Sequence, residues 1–212
     1  MPKINYDKLQ DYLTSLVPPR DAEMQKMEDY AEKNKFPALG AACGYYCYQL
    51  ARMIGAKSVF ELGSGYGYST AWFAKAVREN GGGVVHHTVW DDKLSAMAKD
   101  HLSKLGYSDM VTFHNAEAVE SLRKTSGPFD IIFNDIDKEG YPDSLPVIKE
   151  KLRSGGLLII DNMIWHGQIL DSNDREEETE AIRRFTLDVT TDPDWIVSLT
   201  PIRDGMIVAY KK

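Results

Sequence analysis

Five short apolar and β-branched runs leave few folds open to this chain: SVFELG from Ser58, VVHHTVW from Val84, MVTFHN from Met110, FDIIFND from Phe129 and GLLIID from Gly156. Each is bounded by Gly or Asp and has the length of a strand rather than a helix. Between them lie helical patterns, STAWFAKAVREN from Ser69, LSAMAKDHLSKLG from Leu94, AEAVESLRK from Ala116 and YPDSLPVIKEKLRSGG from Tyr141, with Gly106 and Gly155 as C-terminal stops. Strand alternating with helix argues for a parallel sheet covered on both faces. After Asp161 the rhythm changes. DSNDREEETEAIRRFTLDV predicts a loop running into a helix, and DWIVSLTPIRDGMIVAYKK predicts two strands joined by Pro201 to Gly205. The expectation is an α/β, Rossmann-like, doubly wound and mostly parallel sheet of seven strands that closes in an antiparallel hairpin.

Residues before Ser58, through about Ile54, predict a helical layer punctuated by Pro18, Pro19 and Pro37. A length of 212 residues suits one domain, with 1–56 as the helical layer and 57–212 as the core. Cys43 and Cys47 stand four apart in a helical stretch, which suits two small buried groups in a reducing compartment better than a crosslink. The N-terminus lacks a basic region followed by an apolar block, and no run approaches the roughly 20 apolar residues of a membrane span. A cytoplasmic protein is therefore expected. With 25 basic against 32 acidic residues, a net charge of -7 disfavours tracking a nucleic-acid backbone and favours small-molecule partners.

Glu61-Leu62-Gly63-Ser64-Gly65-Tyr66-Gly67 follows a predicted strand and precedes a helix, where small residues let backbone amides approach a ligand. A nicotinamide-dependent dehydrogenase would use such glycines too, with pyrophosphate at the helix N-terminus. Glu61 tilts the balance, since it would repel a pyrophosphate and attract the ammonium of a methionine moiety. Asp91-Asp92 follow the second run, which reads as ending at Trp90, where a carboxylate can accept hydrogen bonds from both ribose hydroxyls. One of the pair is expected to cap the next helix; Asp91 is assigned to the ribose and Asp92 to the cap.

Phe133-Asn134-Asp135-Ile136-Asp137-Lys138 closes the fourth run and Asp161-Asn162 the fifth, so both oxygen-bearing clusters reach the ligand-binding edge of the sheet. Asp135, Asp161 and Asn162 make a hard oxygen set suited to Mg²⁺ or Ca²⁺. Taken singly, such acids could equally cap helices or pair with Lys138. Their combination points to a metal.

With these motifs in order, the chain resembles the metal-dependent catechol and caffeoyl-CoA O-methyltransferase family. That family's pattern is an acidic-Gly turn ending in GYS, then DxDK, DN-x-x-W and a terminal DG strand; here these are ELGSGYGYS, DIDK, DNMIW and RDGMIVAYKK. The resemblance runs from about Arg20 to the C-terminus. It implies a methyltransferase using S-adenosylmethionine and a divalent metal, Mg²⁺ first, with Ca²⁺ or Mn²⁺ as substitutes. Asp135, Asp161 and Asn162 would hold the metal. Lys138 would accept the proton of a hydroxyl or stabilise the resulting phenolate. Cofactor contacts implied by motif position are Leu39, Glu61, Gly63, Ser64, Ser69, Asp91, Asp135 and Asp137, with Glu117 on the adenine side. The implied acceptor is a small catechol-like aromatic, touched by Lys138, Trp165 and His166, and the implied assembly is a homodimer.

Gly65, Tyr66 and His166 depart from the family's common choices and put the acceptor's identity in question. Asn115-Ala116-Glu117 lacks the common Gly-Asp form of the adenine turn, so Glu117 reads equally as a surface residue opening a helix. Tyr45, Tyr46, Tyr48, Trp72 and Trp195 read as core or subunit-interface aromatics, whereas Trp165, four residues past Asp161, reads as an active-site wall. His86 and His87 lie in a strand and read as structural. The competing functions are O-methylation of a hydroxylated nucleoside in tRNA, a non-catalytic nucleotide-binding domain of the same fold, and the dehydrogenase.

Overall fold

The computed structural model describes residues 5–212; positions 1–4 of the expected helical layer lie outside the described residues. Three helices come first, α1 (Tyr6–Ser15), α2 (Ala22–Asn34) and α3 (Ala41–Met53). Pro18 and Pro19 fall between α1 and α2, and Pro37 between α2 and α3, where a ring that lacks an N–H does least damage. The remainder runs β1 (Ser58–Leu62), α4 (Tyr68–Glu79), β2 (Val84–Thr88), α5 (Asp92–Lys104), β3 (Val111–His114), α6 (Ala118–Lys124), β4 (Phe129–Asn134), α7 (Tyr141–Lys151), β5 (Leu152–Ile160), α8 (Glu177–Thr191), β6 (Trp195–Thr200) and β7 (Met206–Lys211).

These strands form one seven-stranded sheet in the order β3-β2-β1-β4-β5-β7-β6. β1 to β5 are parallel, and β7 inserts antiparallel between β5 and β6. Strand order reverses between β1 and β4, so the loops leaving those two strands diverge and open a crevice at the carboxyl edge. One face of the sheet packs Cys43, Cys47, Trp72 and Phe73, from α3 and α4, against Val59, Ile131 and Phe133. The other packs Leu145, Ile148, Ile182 and Phe185, from α7 and α8, against Phe60, Ile132 and Leu158. Both cysteines are buried free thiols, and Trp72 and Trp195 are core residues, as expected. No described helix is long and apolar enough to cross a membrane.

Several boundaries differ from the sequence reading. β2 ends at Thr88, not Trp90, and Trp90 is 80% exposed. In consequence Asp91, in extended geometry, is the residue that caps α5, its Oδ1 accepting from Leu94 N at 2.9 Å. Asp92 is already helical and bonds Asn115 instead, which reverses the expected assignment of the cap. Helix α6 starts at Ala118 rather than Ala116, because Glu117 caps it through both carboxylate oxygens. Helix α7 stops at Lys151, well before Gly155, since Leu152 turns extended to pair with Phe129. Gly155, at φ +76°, instead occupies the irregular stretch of β5 where its register on β4 shifts. The tight turns of Trp165–Leu170, kinked where His166 and Gly167 adopt positive φ, were not anticipated.

Phe185 of α8 stacks edge-on against Tyr141 at 5.6 Å and carries packing from the outer helix to the carboxyl edge. Phe185→Ala should cost about 3–5 kcal/mol in urea unfolding, the loss of a fully buried ring at the base of the site.

Candidate active site

The Gly63 turn is stitched to the end of β2. Thr88 N donates to Ser64 Oγ at 3.0 Å, Ser64 N donates to Thr88 O at 2.8 Å, and Thr88 Oγ1 donates to Glu61 O. Gly63 has φ +81°, and a Cβ there would lie 2.5 Å from Asp135 O, so only glycine lets the β1 loop pass the β4 loop. Above this turn an inner recess of about 40 Å³ is lined by Phe36 to Leu39, Gly63 to Tyr66, Tyr68, Ser69 and Asp135. Leu39, Gly63, Ser64, Ser69 and Asp135, separated widely in sequence, thus meet at one place. A larger cavity of about 340 Å³ adjoins it, sharing Phe36, Ala38, Tyr66 and Tyr68 and extending to Thr14, Glu28 and Arg203.

Glu61 lies beneath the recess, fully buried. Its Oε2 accepts from Thr70 Oγ1 at 2.5 Å, while Oε1 has no hydrogen-bond partner. Burial pushes its carboxyl up to about 7, against the hydroxyls around it, Thr70 among them, that pull it down. Behind Thr70 stands His87, whose Nδ1 is 2.9 Å from Thr70 Oγ1. With the Thr70 proton directed at an ionised Glu61, His87 Nδ1 must be the donor. Burial keeps His87 neutral by lowering it to about 3. A buried carboxylate oxygen without a partner, at the strand end that leads into the recess, is the chemistry that answers an ammonium group.

The second cluster joins the ends of β4 and β5. Lys138 follows β4 on a short 3₁₀ turn, Lys138–Gly140, and is buried. Its Nζ donates to Asp135 Oδ1 at 2.9 Å, Ile136 O at 3.2 Å and Tyr141 Oη at 2.9 Å, using all three ammonium protons. Tyr141 Oη in turn donates to Asp161 O at 3.0 Å, so a continuous chain of bonds runs from Asp135 to Asp161. Asp161 is fully buried; Oδ2 is 3.1 Å from Arg203, and Oδ1 has no partner. Burial, then the neighbouring Asp135, raise its carboxyl well above the usual range. Asn162, at φ +59°, donates Nδ2 to Asp204 Oδ2 at 3.3 Å, which leaves its carbonyl oxygen as the free ligand atom. The orphaned oxygen of Asp161 beside Asp135 and Asn162 is the donor chemistry of a hard divalent cation. Elsewhere, between α2 and α5, Glu23, Asp100 and His101 bring ligand atoms within 4.8 Å of one another. Those groups are consumed by ion pairs of Glu23 with Lys26 and of Asp100 with Lys104, and by the hydrogen bond between Glu23 and His101.

The remaining predicted positions lie farther out. Asp91 and Glu117 stand at the N-termini of α5 and α6 on the carboxyl side of the sheet, outside the recess lining. Asp137 is exposed and opens the Lys138 turn. Trp165 is half-buried with its ring 5.9 Å from Lys138 Nζ, and the His166 side chain is 75% exposed, its N donating to Asp204 Oδ1 at 2.6 Å. Both residues have positive φ, 49° and 53°. Sequence reading missed Tyr141, Thr70, Arg203 and Asp204. The Asp204-Gly205 pair was visible in the terminal motif without a role; Tyr141 and Arg203 carried no signal.

Several known proteins share this architecture. Residues 21–212 match the profile of a family described as O-methyltransferase. A catechol O-methyltransferase of Niastella koreensis is 29% identical over 98% of this chain and 98% of its own. A caffeoyl-CoA O-methyltransferase of Eucalyptus gunnii is 25% identical over 97% of this chain and 88% of its own. The crystal structure of an O-methyltransferase from Bacillus cereus, in complex with SAH, superposes with a TM-score of 0.87 at 24% identity, covering 97% of each chain.

The raised Glu61 carboxyl has a consequence for stability. Its folded value exceeds its unfolded one, so the stabilisation is fully present below the unfolded value of 4.5 and is lost as pH rises through about 7. Ligand-free protein should lose roughly 3 kcal/mol more stability across that window than Glu61→Gln, measured by urea unfolding at each pH. Parallel profiles for the two proteins would contradict the assignment.

Proposed function

The chain belongs to the O-methyltransferase family, and on that premise we propose that it moves a methyl group from S-adenosylmethionine to one hydroxyl of a small vicinal dihydroxy aromatic, with the help of a divalent ion, Mg²⁺ first. The observation that carries this reading is the placement of two buried, under-partnered carboxylates, Glu61 at the end of β1 and Asp161 just past the end of β5, on the same edge of the sheet. The relatives named for catechol and caffeoyl-CoA support the acceptor class. A dehydrogenase is disfavoured by Glu61, which would stand beneath a bound pyrophosphate.

The cofactor would supply an electrophilic methyl group on a sulfonium, and the metal a positive charge that makes a nearby phenol more acidic. Glu61 would answer the charge of the cofactor's ammonium, while Leu39, Gly63, Ser64 and Ser69 shape the recess around its amino-acid end. Asp91 spends Oδ1 on the α5 cap, which leaves Oδ2 for ribose hydroxyls. Glu117 spends both oxygens on the α6 cap, so an adenine contact there would use backbone atoms. Asp135, Asp161 and Asn162 would hold the metal, and Asp137 flanks the cofactor side.

Lys138 donates all three of its protons in the resting site and has no lone pair to offer. Its first role is therefore to stabilise the negative charge that develops on the acceptor oxygen; serving as a base would first require one proton to leave. Trp165 beside Lys138 walls the aromatic acceptor, and the exposed His166 stands at its open side. Holding sulfonium and oxygen in line in a cleft of fixed geometry supplies the remaining acceleration.

Caffeic acid and dihydroxybenzoates, assayed with S-adenosylmethionine and Mg²⁺, test the reading. Lys138→Ala should lower kcat by about 10²–10⁴-fold while S-adenosylhomocysteine affinity stays within about threefold of wild type. Asp161→Ala should remove both the activity and its response to Mg²⁺. Unchanged turnover in both variants would sink the mechanism.

A further inference from the structure

Arg203 occupies a position that no part of the proposed chemistry requires. It lies in the turn between β6 and β7 with φ +51°, a left-handed conformation that is uncommon for a residue bearing a Cβ. Helix α1 pins its backbone on both sides: Arg203 N donates to Gln10 Oε1 at 2.8 Å, and Tyr6 Oη donates to Arg203 O. Its stem runs past Gly40, where a Cβ would lie 3.8 Å from Arg203 Cδ. The result of this bracing is that Nη1 comes within 3.1 Å of Asp161 Oδ2, on the same carboxylate whose unpartnered Oδ1 is the oxygen offered to the metal.

We infer that Arg203 is a built-in competitor for the metal, a tethered cation that occupies Asp161 and holds divalent-ion affinity down until the side chain moves aside. This inference rests on the metal-site reading. Two cations that share one carboxylate in a buried place repel each other, because little water is present to screen them. Asp161 is fully buried whereas the Arg203 side chain is 35% exposed, so the guanidinium is the partner able to leave. It also has somewhere to go, since Arg203 lines the cavity of about 340 Å³, whose wall also includes Glu32. An anion entering that cavity would draw the guanidinium off Asp161 and so favour metal binding. Metal affinity and affinity for such an anion are thereby coupled through one side chain, and linkage requires each to raise the affinity for the other.

Mn²⁺ titration followed by the loss of its free-ion paramagnetic resonance signal reads this directly, without turnover. Arg203→Gln, which keeps most of the side-chain length, should bind Mn²⁺ roughly tenfold more tightly than wild type or better, and Arg203→Lys should stay within about threefold of wild type because it keeps the charge. Arg203→Gly deletes the same charge while relaxing the left-handed backbone, and gives the comparison on a chain that folds without that strain. Asp161→Asn should abolish binding in either background. If the uncharged variants bind Mn²⁺ no better than wild type while Asp161→Asn still abolishes binding, the metal site stands and the competition does not. If neither wild type nor the Arg203 variants bind Mn²⁺, both readings fall.

Discussion

The phenol of Tyr141 is the strut on which the carboxyl edge rests. It accepts from Lys138 and donates to the backbone of Asp161, so the loop after β4 and the end of β5 are fixed relative to each other by one buried group. Burial, then the surrounding acids, push that phenol well above its ordinary range, which keeps it protonated and able to donate. Phe185 holds the ring from behind, and through it the outer helix α8 reaches the site. Removing the hydroxyl would leave a buried carbonyl and one ammonium proton without partners, a larger loss than one hydrogen bond.

Around that strut the edge carries more acid than its cations neutralise. Asp135, Asp161 and Asp204 face Lys138 and Arg203, with Asp135 taken by Lys138, Asp161 by Arg203 and Asp204 by the Asn162 amide and the His166 backbone. A fully buried carboxylate oxygen with no partner, as on Asp161, is costly unless something supplies positive charge. The same holds for Glu61, where the Thr70 and His87 chain satisfies one oxygen and leaves the other without a partner. These are two places of stored desolvation on one edge of the sheet, each stabilised by whatever positive charge reaches it.

Much of this was legible in the sequence because the strand-helix alternation is strong and Glu61, Asp135 and Asp161 sit at strand ends, where topology alone brings them to one edge. The expected sheet of seven strands, the terminal hairpin and the N-terminal helices are all present. What misled was local competition. Trp90 looked like a strand residue because it is aromatic, yet β2 gives out at Thr88 and Asp91 slips into the cap meant for Asp92. Gly155 looked like a helix stop because glycine is the commonest one, but Leu152 finds its partner on β4 first. Tyr141 and Arg203 were illegible for a different reason: their roles come from contacts across 20 and 42 residues, which no local pattern records.

The central claim is that the protein binds the methyl donor and uses a metal to act on a hydroxylated aromatic. Calorimetric titration of S-adenosylhomocysteine into the wild-type protein, followed on the same sample by mass detection of methylated dihydroxybenzoate with Mg²⁺ or with EDTA, tests it most directly. The account predicts saturable binding and a methylated product that disappears with EDTA. Absence of binding, or product formation indifferent to EDTA, would contradict it.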